Sequence, residues 1–131
     1  GPLKGSYCVE YEGFKNIARF IRRGQQRNKR HIVYILFTIE DTCNGINGAD
    51  ERYEALGMLE DSVRISLRVG DVATRYSGSQ IVAILVDAKE SDACMVAGRI
   101  LGEFHSHTGM EHVRVEYDIQ ALEEDEPEEN H

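Results

Sequence analysis

Two hydrophobic periods alternate along this chain. Residues 11–26, YEGFKNIARFIRRGQQ, place Phe14, Ile17, Phe20 and Ile21 at helical spacing, and Gly24 suits a helix stop. The basic connector RNKR leads into HIVYILFTIE, a β-branched and aromatic run that is nearly all apolar. Such a run predicts a strand buried on both faces, hence a central one. DTCNGINGAD is turn chemistry. From about Glu51 to Arg68, Tyr53, Leu56, Leu59, Val63 and Leu67 recur every three or four positions and predict a helix.

VATRYS and QIVAILVDA then predict two strands folded back on the turn Ser77-Gly78-Ser79-Gln80. ESDACMVAGRILGEFHSH returns to helical spacing through Ala93, Val96, Ala97, Ile100, Leu101 and Phe104, with Ser91 or Asp92 as its cap. EHVRVEYDIQAL alternates Val113, Val115, Tyr117 and Ile119, the pattern of a half-buried strand near an edge. The order is a helix followed by β-α-β-β-α-β. It predicts an α+β, ferredoxin-like split βαβ domain whose antiparallel central sheet is flanked by helices. Fold alone assigns no chemistry.

Composition narrows the function classes. The 131 residues suit one domain with a real core. The net charge of -8 is uneven: Glu123, Glu124, Asp125, Glu126, Glu128 and Glu129 crowd the end, and residues 123–131 read as a disordered acidic tail. Without them the domain is close to neutral. A nucleic-acid binder usually shows a basic face, so no nucleic-acid partner is expected. The basic run Arg22, Arg23, Arg27, Lys29 and Arg30 reads as a solvated linker that could touch phosphate or an acidic segment.

The three cysteines, Cys8, Cys43 and Cys94, are widely spaced without a C-x-x-C, which fits a reducing, cytoplasmic compartment. The longest apolar runs, IVYILF and IVAILV, fall well short of the roughly 20 residues that cross a bilayer. Gly1-Pro2-Leu3 reads as a tag remnant, residues 1–8 as remnant and linker, and the chain as a piece of a longer protein.

Local chemistry is sparse. His105 and His107 stand at i and i+2, which do not face each other on a helix, and His112 adds no ligand set. Nothing near Cys43 would lower its pKa. Met58 and Met95 read as core or surface residues. Arg68 and Asp71, three apart at a helix end, admit two readings. An arginine suits a helix C-terminus and an aspartate suits a turn. Together they could also hold a ligand.

The hairpin and its surroundings resemble the GGDEF family of bacterial diguanylate cyclase domains. The family's Arg-Tyr followed by Gly-Gly-Asp/Glu-Glu-Phe stands here as Arg75-Tyr76-Ser77-Gly78-Ser79-Gln80-Ile81. EGFKNIARF is similar to the family's opening motif and keeps Gly13, Asn16 and Phe20. YILFTIED takes the place of its first strand, and LRVGD matches its Arg-x-x-Asp inhibitory site. The likeness runs over about residues 9 to 120, so residues 9–122 are identified as a degenerate GGDEF domain.

The resemblance implies a dead cyclase. In the family a pair of Mg²⁺ ions is held by the Asp ending the first strand and by an acid in the signature turn. Here Thr38 and Ser79 stand at those places, and Gln80 replaces the second acid. Attack of a ribose 3′-hydroxyl on an α-phosphate builds negative charge that carboxylate-held cations stabilise. No catalytic residue, metal site or resident cofactor is therefore expected. Ile39 separates Thr38 from Glu40, which falls on the second Asp of the strand motif and could hold a single ion weakly. Asn47 is in position to read guanine only if its loop shifts by one residue, and Tyr53 falls near the other guanine-reading position.

The family's inhibitory site binds cyclic di-GMP. Its pattern implies that Arg68, Asp71 and Arg99 form a ligand site here, with arginine on the guanine O6/N7 edge and aspartate accepting from N1–H and N2–H. The expected function is a cyclic di-GMP receptor within a larger signalling protein, joined to its other domains and able to form a homodimer. The alternatives are a dimerisation or protein-interaction module indifferent to nucleotide, and a domain that binds GTP without turnover.

Overall fold

The computed structural model describes residues 6–9, 19, 23, 31–40 and 48–121. All but Arg19 and Arg23 of the helix predicted over residues 11–26, most of the basic run, the 41–47 loop with Asp41, Cys43 and Asn47, and the acidic tail lie outside the described residues.

Seven elements are described: β1 (Ser6–Val9), β2 (Ile32–Ile39), α1 (Ala49–Ser66), β3 (Asp71–Ser77), β4 (Gln80–Val86), α2 (Glu90–His105) and β5 (Val115–Ala121). They form one sheet in the order β1-β3-β4-β2-β5. The β3, β4, β2 and β5 ladder is antiparallel throughout, and the β-α-β-β-α-β order is as the hydrophobic pattern predicts. The apolar run of β2 fits its place, with a strand on each side: Ile35 pairs Ala83 of β4 and Ile119 of β5.

β1 is a strand that the pattern did not announce. It pairs in parallel with β3, Ser6 opposite Asp71 and Val9 opposite Thr74. Three of its residues fall in the stretch read as tag remnant and linker.

Both described helices cover one face of the sheet. Leu56, Leu59 and Val63 of α1 and Ala97, Ile100 and Phe104 of α2 share a core with Ile35, Phe37, Ile81, Ala83 and Leu85. The other face carries a smaller apolar cluster, Ile32, Val72, Val82 and Ile84. Each Val, Leu, Ile or Phe side chain removed from water contributes about 1.5–3 kcal/mol.

Details of the helices differ from the pattern. Tyr53 fits the α1 stripe by spacing yet is 70% exposed, so the stripe begins one turn later, at Leu56. Helix α1 closes at Ser66, and Leu67 is its extended cap. On α2, Asp92 caps from the third position: its carboxylate accepts from the Lys89 N–H at 3.0 Å. Ser91 does not fill that role. β5 lies at a sheet edge, with Val115 and Ile119 half-buried and Tyr117 largely exposed.

Candidate functional site

The two ends of the sheet carry different chemistry. At one end the β3–β4 hairpin meets the close of β2. An extra residue, Tyr76, breaks the register between Arg75 and Ser77 and lets the chain turn through Gly78 and Ser79. The neutral replacements satisfy one another. Gln80 Nε2 donates to Thr38 Oγ1 at 3.2 Å, and Ser77 Oγ donates to Gln80 Oε1 at 2.9 Å. The Ser79 N–H donates to Ser77 Oγ at 3.3 Å, and the Ile39 N–H donates to the Ser79 carbonyl at 2.9 Å.

Beside this tip lies an open cleft of about 620 Å³, lined by Ile39, Arg52, Tyr53, Leu56, Arg75 and Ser77 to Ser79. Arg75 donates to Glu60 Oε1 at 2.8 Å through Nε, and its guanidinium stands 5.4 Å from the centre of the Tyr53 ring. Among the described residues no carboxylate lines the cleft. Sequence reasoning passed over Arg52 and treated Arg75 only as part of a motif. They are 23 positions apart, and the pairing of strand and helix alone brings them together.

The family's Mg²⁺ does not fit this set. Thr38 and Ser79 offer neutral oxygens, and among the described residues the cleft is lined by arginines and no acid. Glu40 does not line the cleft. Its carboxyl meets Glu116 of β5, and that hydrogen bond, then desolvation, then the Glu116 charge raise its pKa above the ordinary 4.5, against a lowering by Arg114. Among the described residues no three His, Cys, Asp or Glu side chains converge on a metal position. His105 Nε2 meets the Val113 carbonyl at 2.8 Å, His107 Nε2 lies 3.7 Å from Glu103, and His112 is exposed.

The other end holds the Arg-x-x-Asp pair. Arg68-Val69-Gly70-Asp71 forms a tight turn between α1 and β3, closed by the Asp71 N–H donating to the Arg68 carbonyl at 3.0 Å. Gly70 supplies the φ of +101° that the turn needs. Asp71 is 2% exposed. Its Oδ1 accepts from the Val86 N–H at 3.1 Å, and its Oδ2 accepts from the Arg68 N–H at 3.1 Å and from Arg68 Nε at 3.4 Å.

The Arg68 side chain is 62% exposed, and its Nη2 donates to the Val86 carbonyl at 2.7 Å. Arg99, exposed on α2, donates from Nη2 to the carbonyl of Ser66 at the end of α1. All three predicted residues thus gather at one corner, where α1 ends. They are not equivalent: both guanidiniums face solvent, and the carboxylate is engaged inside the fold. Val69, 82% exposed, Ile65 and Met95 add apolar surface around them.

No protein-family profile matches the chain, and no curated protein matches it. Solved structures do. A diguanylate cyclase (DGC) protein from Thermotoga maritima shares 16% identity at a TM-score of 0.73, over 90% of this chain and 84% of that one. The diguanylate cyclase SiaD of Pseudomonas aeruginosa, solved with its activator SiaC, matches at a TM-score of 0.77 and 16% identity, over 88% of this chain and 47% of that one. The GGDEF domain of DgcB from Caulobacter crescentus, solved with cyclic di-GMP, matches at 0.74 with 10% identity, over 90% and 75%. At such identities the likeness speaks for the architecture. This chain has the fold of the GGDEF diguanylate cyclase domains.

Proposed function

We propose that this domain is a catalytically inactive relative of the diguanylate cyclases that serves as a cyclic di-GMP receptor in a bacterial, cytoplasmic signalling protein. One observation carries the reading. Arg68 is largely exposed, is steadied by the buried Asp71, and shares the corner at the end of α1 with Arg99. A pair of exposed guanidiniums suits a ligand whose phosphates need bidentate donors. The hairpin end supports inactivity: Thr38, Ser77 and Gln80 bond to one another, and among the described residues no acid lines the cleft. Binding would act on the larger protein by favouring whichever state presents the corner better.

Calorimetric titration of cyclic di-GMP into the domain, beside Arg68→Ala, tests this. Micromolar binding that weakens tenfold or more in the variant, about 1.4 kcal/mol, is the expected result. No binding at about 100 μM ligand, a level that detects Kd values well into the micromolar range, ends the receptor reading. GTP with Mg²⁺ should yield no cyclic product.

A second reading has its own support. Exposed Ile65, Val69 and Met95 give the same corner an apolar surface fit for a protein partner or a second copy. It predicts association that neither nucleotide nor Arg68→Ala alters.

A further inference from the structure

The two edge strands of the sheet differ. β1 has four residues. β5 has seven, and its register with β2 runs unbroken from Val115 to Ala121. Among the described residues β2 is the one strand that pairs with it. Strand N–H and C=O groups serve both sides of a strand, so the outer side of β5 presents a row of donors and acceptors. Proline, lysine and bulges are the usual devices that blunt such an edge. The β5 sequence VEYDIQA contains neither residue, and its ladder to β2 has no break.

The two faces of β5 carry different chemistry. Val115 and Ile119 pack against the main core. Tyr117 stands between them, 43% exposed, with its ring 6.3 Å from that of Phe37. Glu116 and Asp118 belong to the other face, paired across to Thr38 and Leu36, and both are exposed. Glu116 shares a hydrogen bond with Glu40, and the Asp118 carboxylate has no partner among the described residues. Arg114 stands just before the strand, so the acids hold its middle. In sequence, Glu123, Glu124, Asp125 and Glu126 follow close behind.

This charge selects the occupant. Two copies of β5 paired antiparallel along their full length would set Asp118 against Asp118, the middle residue of the strand. Parallel pairing in register would set each acid against its own copy. Like charges directly opposite each other destabilise a ladder. A strand with Lys or Arg at alternate positions instead sets cations opposite Glu116 and Asp118, and its apolar residues in between cover Tyr117.

We infer that the outer edge of β5 is a docking site for an extended basic segment of a partner protein, which adds a strand to the sheet.

Fluorescence anisotropy with a labelled peptide, Thr-Val-Lys-Val-Lys-Val-Thr, tests this on the full chain. The expected result is binding with Kd below about 1 mM; no binding at that level overturns the inference. Two further peptides carry N-methyl groups, one at the odd residues and one at the even. They keep the charge and block opposite sides of the peptide strand. One should bind as the parent does and the other about tenfold or more weaker; equal binding of the two overturns strand addition. Glu in place of both Lys residues should cost about tenfold or more, and Asp118→Lys in the protein should weaken the Lys peptide and strengthen the Glu peptide. Indifference to these charges overturns the stated partner chemistry.

Amide hydrogen exchange locates the contact. Bound peptide should slow alternate amides within Val115–Ala121, and protection elsewhere alone overturns the site. The same amides slowing in the chain by itself as its concentration rises would make a second copy the occupant, and would also overturn the inference.

Discussion

The two ends of the sheet handle polar groups in opposite ways. At the hairpin end, neutral side chains bond to one another at the surface: Gln80 to Thr38, Ser77 to Gln80. Each such bond is worth little, because water would serve as well. At the corner a full carboxylate is buried, and backbone N–H groups of Arg68 and Val86 depend on it. The contrast changes the weight of the motif. Asp71 has a reason to stand where it does that involves no ligand. The guanidiniums are only partly explained by the fold, since Arg68 and Arg99 each spend few of their donors on backbone carbonyls. The case for a binding site therefore rests on the arginines.

The sharpest way to break this comparison is Asp71→Ala. It would leave the part-buried N–H groups of Arg68 and Val86 without their acceptor and should cost roughly 1–3 kcal/mol. The matching change at the hairpin, Gln80→Ala, should cost less than about 1 kcal/mol. Urea denaturation of the two variants measures the difference. Equal losses would mean that the carboxylate is no staple.

Much of this was legible in the sequence and some was not. The run Ile32–Ile39 reads as a buried strand because β-branched and aromatic residues follow without interruption. The stripe Leu56, Leu59, Val63 and the set Ala97, Ile100, Phe104 reveal their helices by period. Ser6–Val9 is too short to show alternation, and its parallel partner β3 lies more than 60 residues away. Tyr53 matched the α1 period, but period alone does not tell where a helix begins to touch its sheet. The Arg68–Asp71 spacing was visible, and the burial of Asp71 was not. An aspartate after a glycine reads as turn material, and only the return of β4, which brings the Val86 N–H to it, makes it internal.

The turns of the two ends offer a matched pair of intermediate size. Gly70 sits at φ +101°, where a side chain is strained even though the nearest atom to an added Cβ, Val86 Cγ2, is 3.9 Å away. Gly70→Ala should cost about 1–2 kcal/mol. Gly78 has an ordinary φ and nothing within 4 Å of an added Cβ, so Gly78→Ala should stay within about 0.5 kcal/mol of the parent. Thermal melts of both suffice. If Gly78→Ala were the worse variant, the hairpin tip would be held by something other than the bonds described above.

Arg68→Ala sharpens the comparison from the ligand side. With its side chain mostly in solvent, its ion pair to Asp71 should contribute less than about 1 kcal/mol to stability. A variant that melts like the parent and has lost ligand would separate the arginine's work from the aspartate's. A variant that melts as early as Asp71→Ala would join them again.

The smallest effect belongs to the acids beside the hairpin end. Glu40 shares a hydrogen bond with Glu116, and its pKa is raised above the ordinary 4.5 chiefly by that bond, with the Glu116 charge adding to it. A raised carboxyl holds its proton more tightly in the folded chain than in the unfolded one. Its stabilising share is therefore whole below pH 4.5 and is lost as pH rises through the raised value. Glu116→Gln removes the like charge and offers an amide that favours the ionised form. The Glu40 midpoint should fall back toward its ordinary value, and the variant should gain on the parent as pH rises through that window. Carboxyl-detected NMR titration of Glu40 in both proteins gives the answer directly. An unchanged midpoint would mean that Glu40 is not paired across the β2–β5 edge, and the carboxylate would return as a candidate ligand for a cation at the hairpin end. A lowered midpoint would leave that end as the fold presents it, with Glu40 held by Glu116 across the β2–β5 edge.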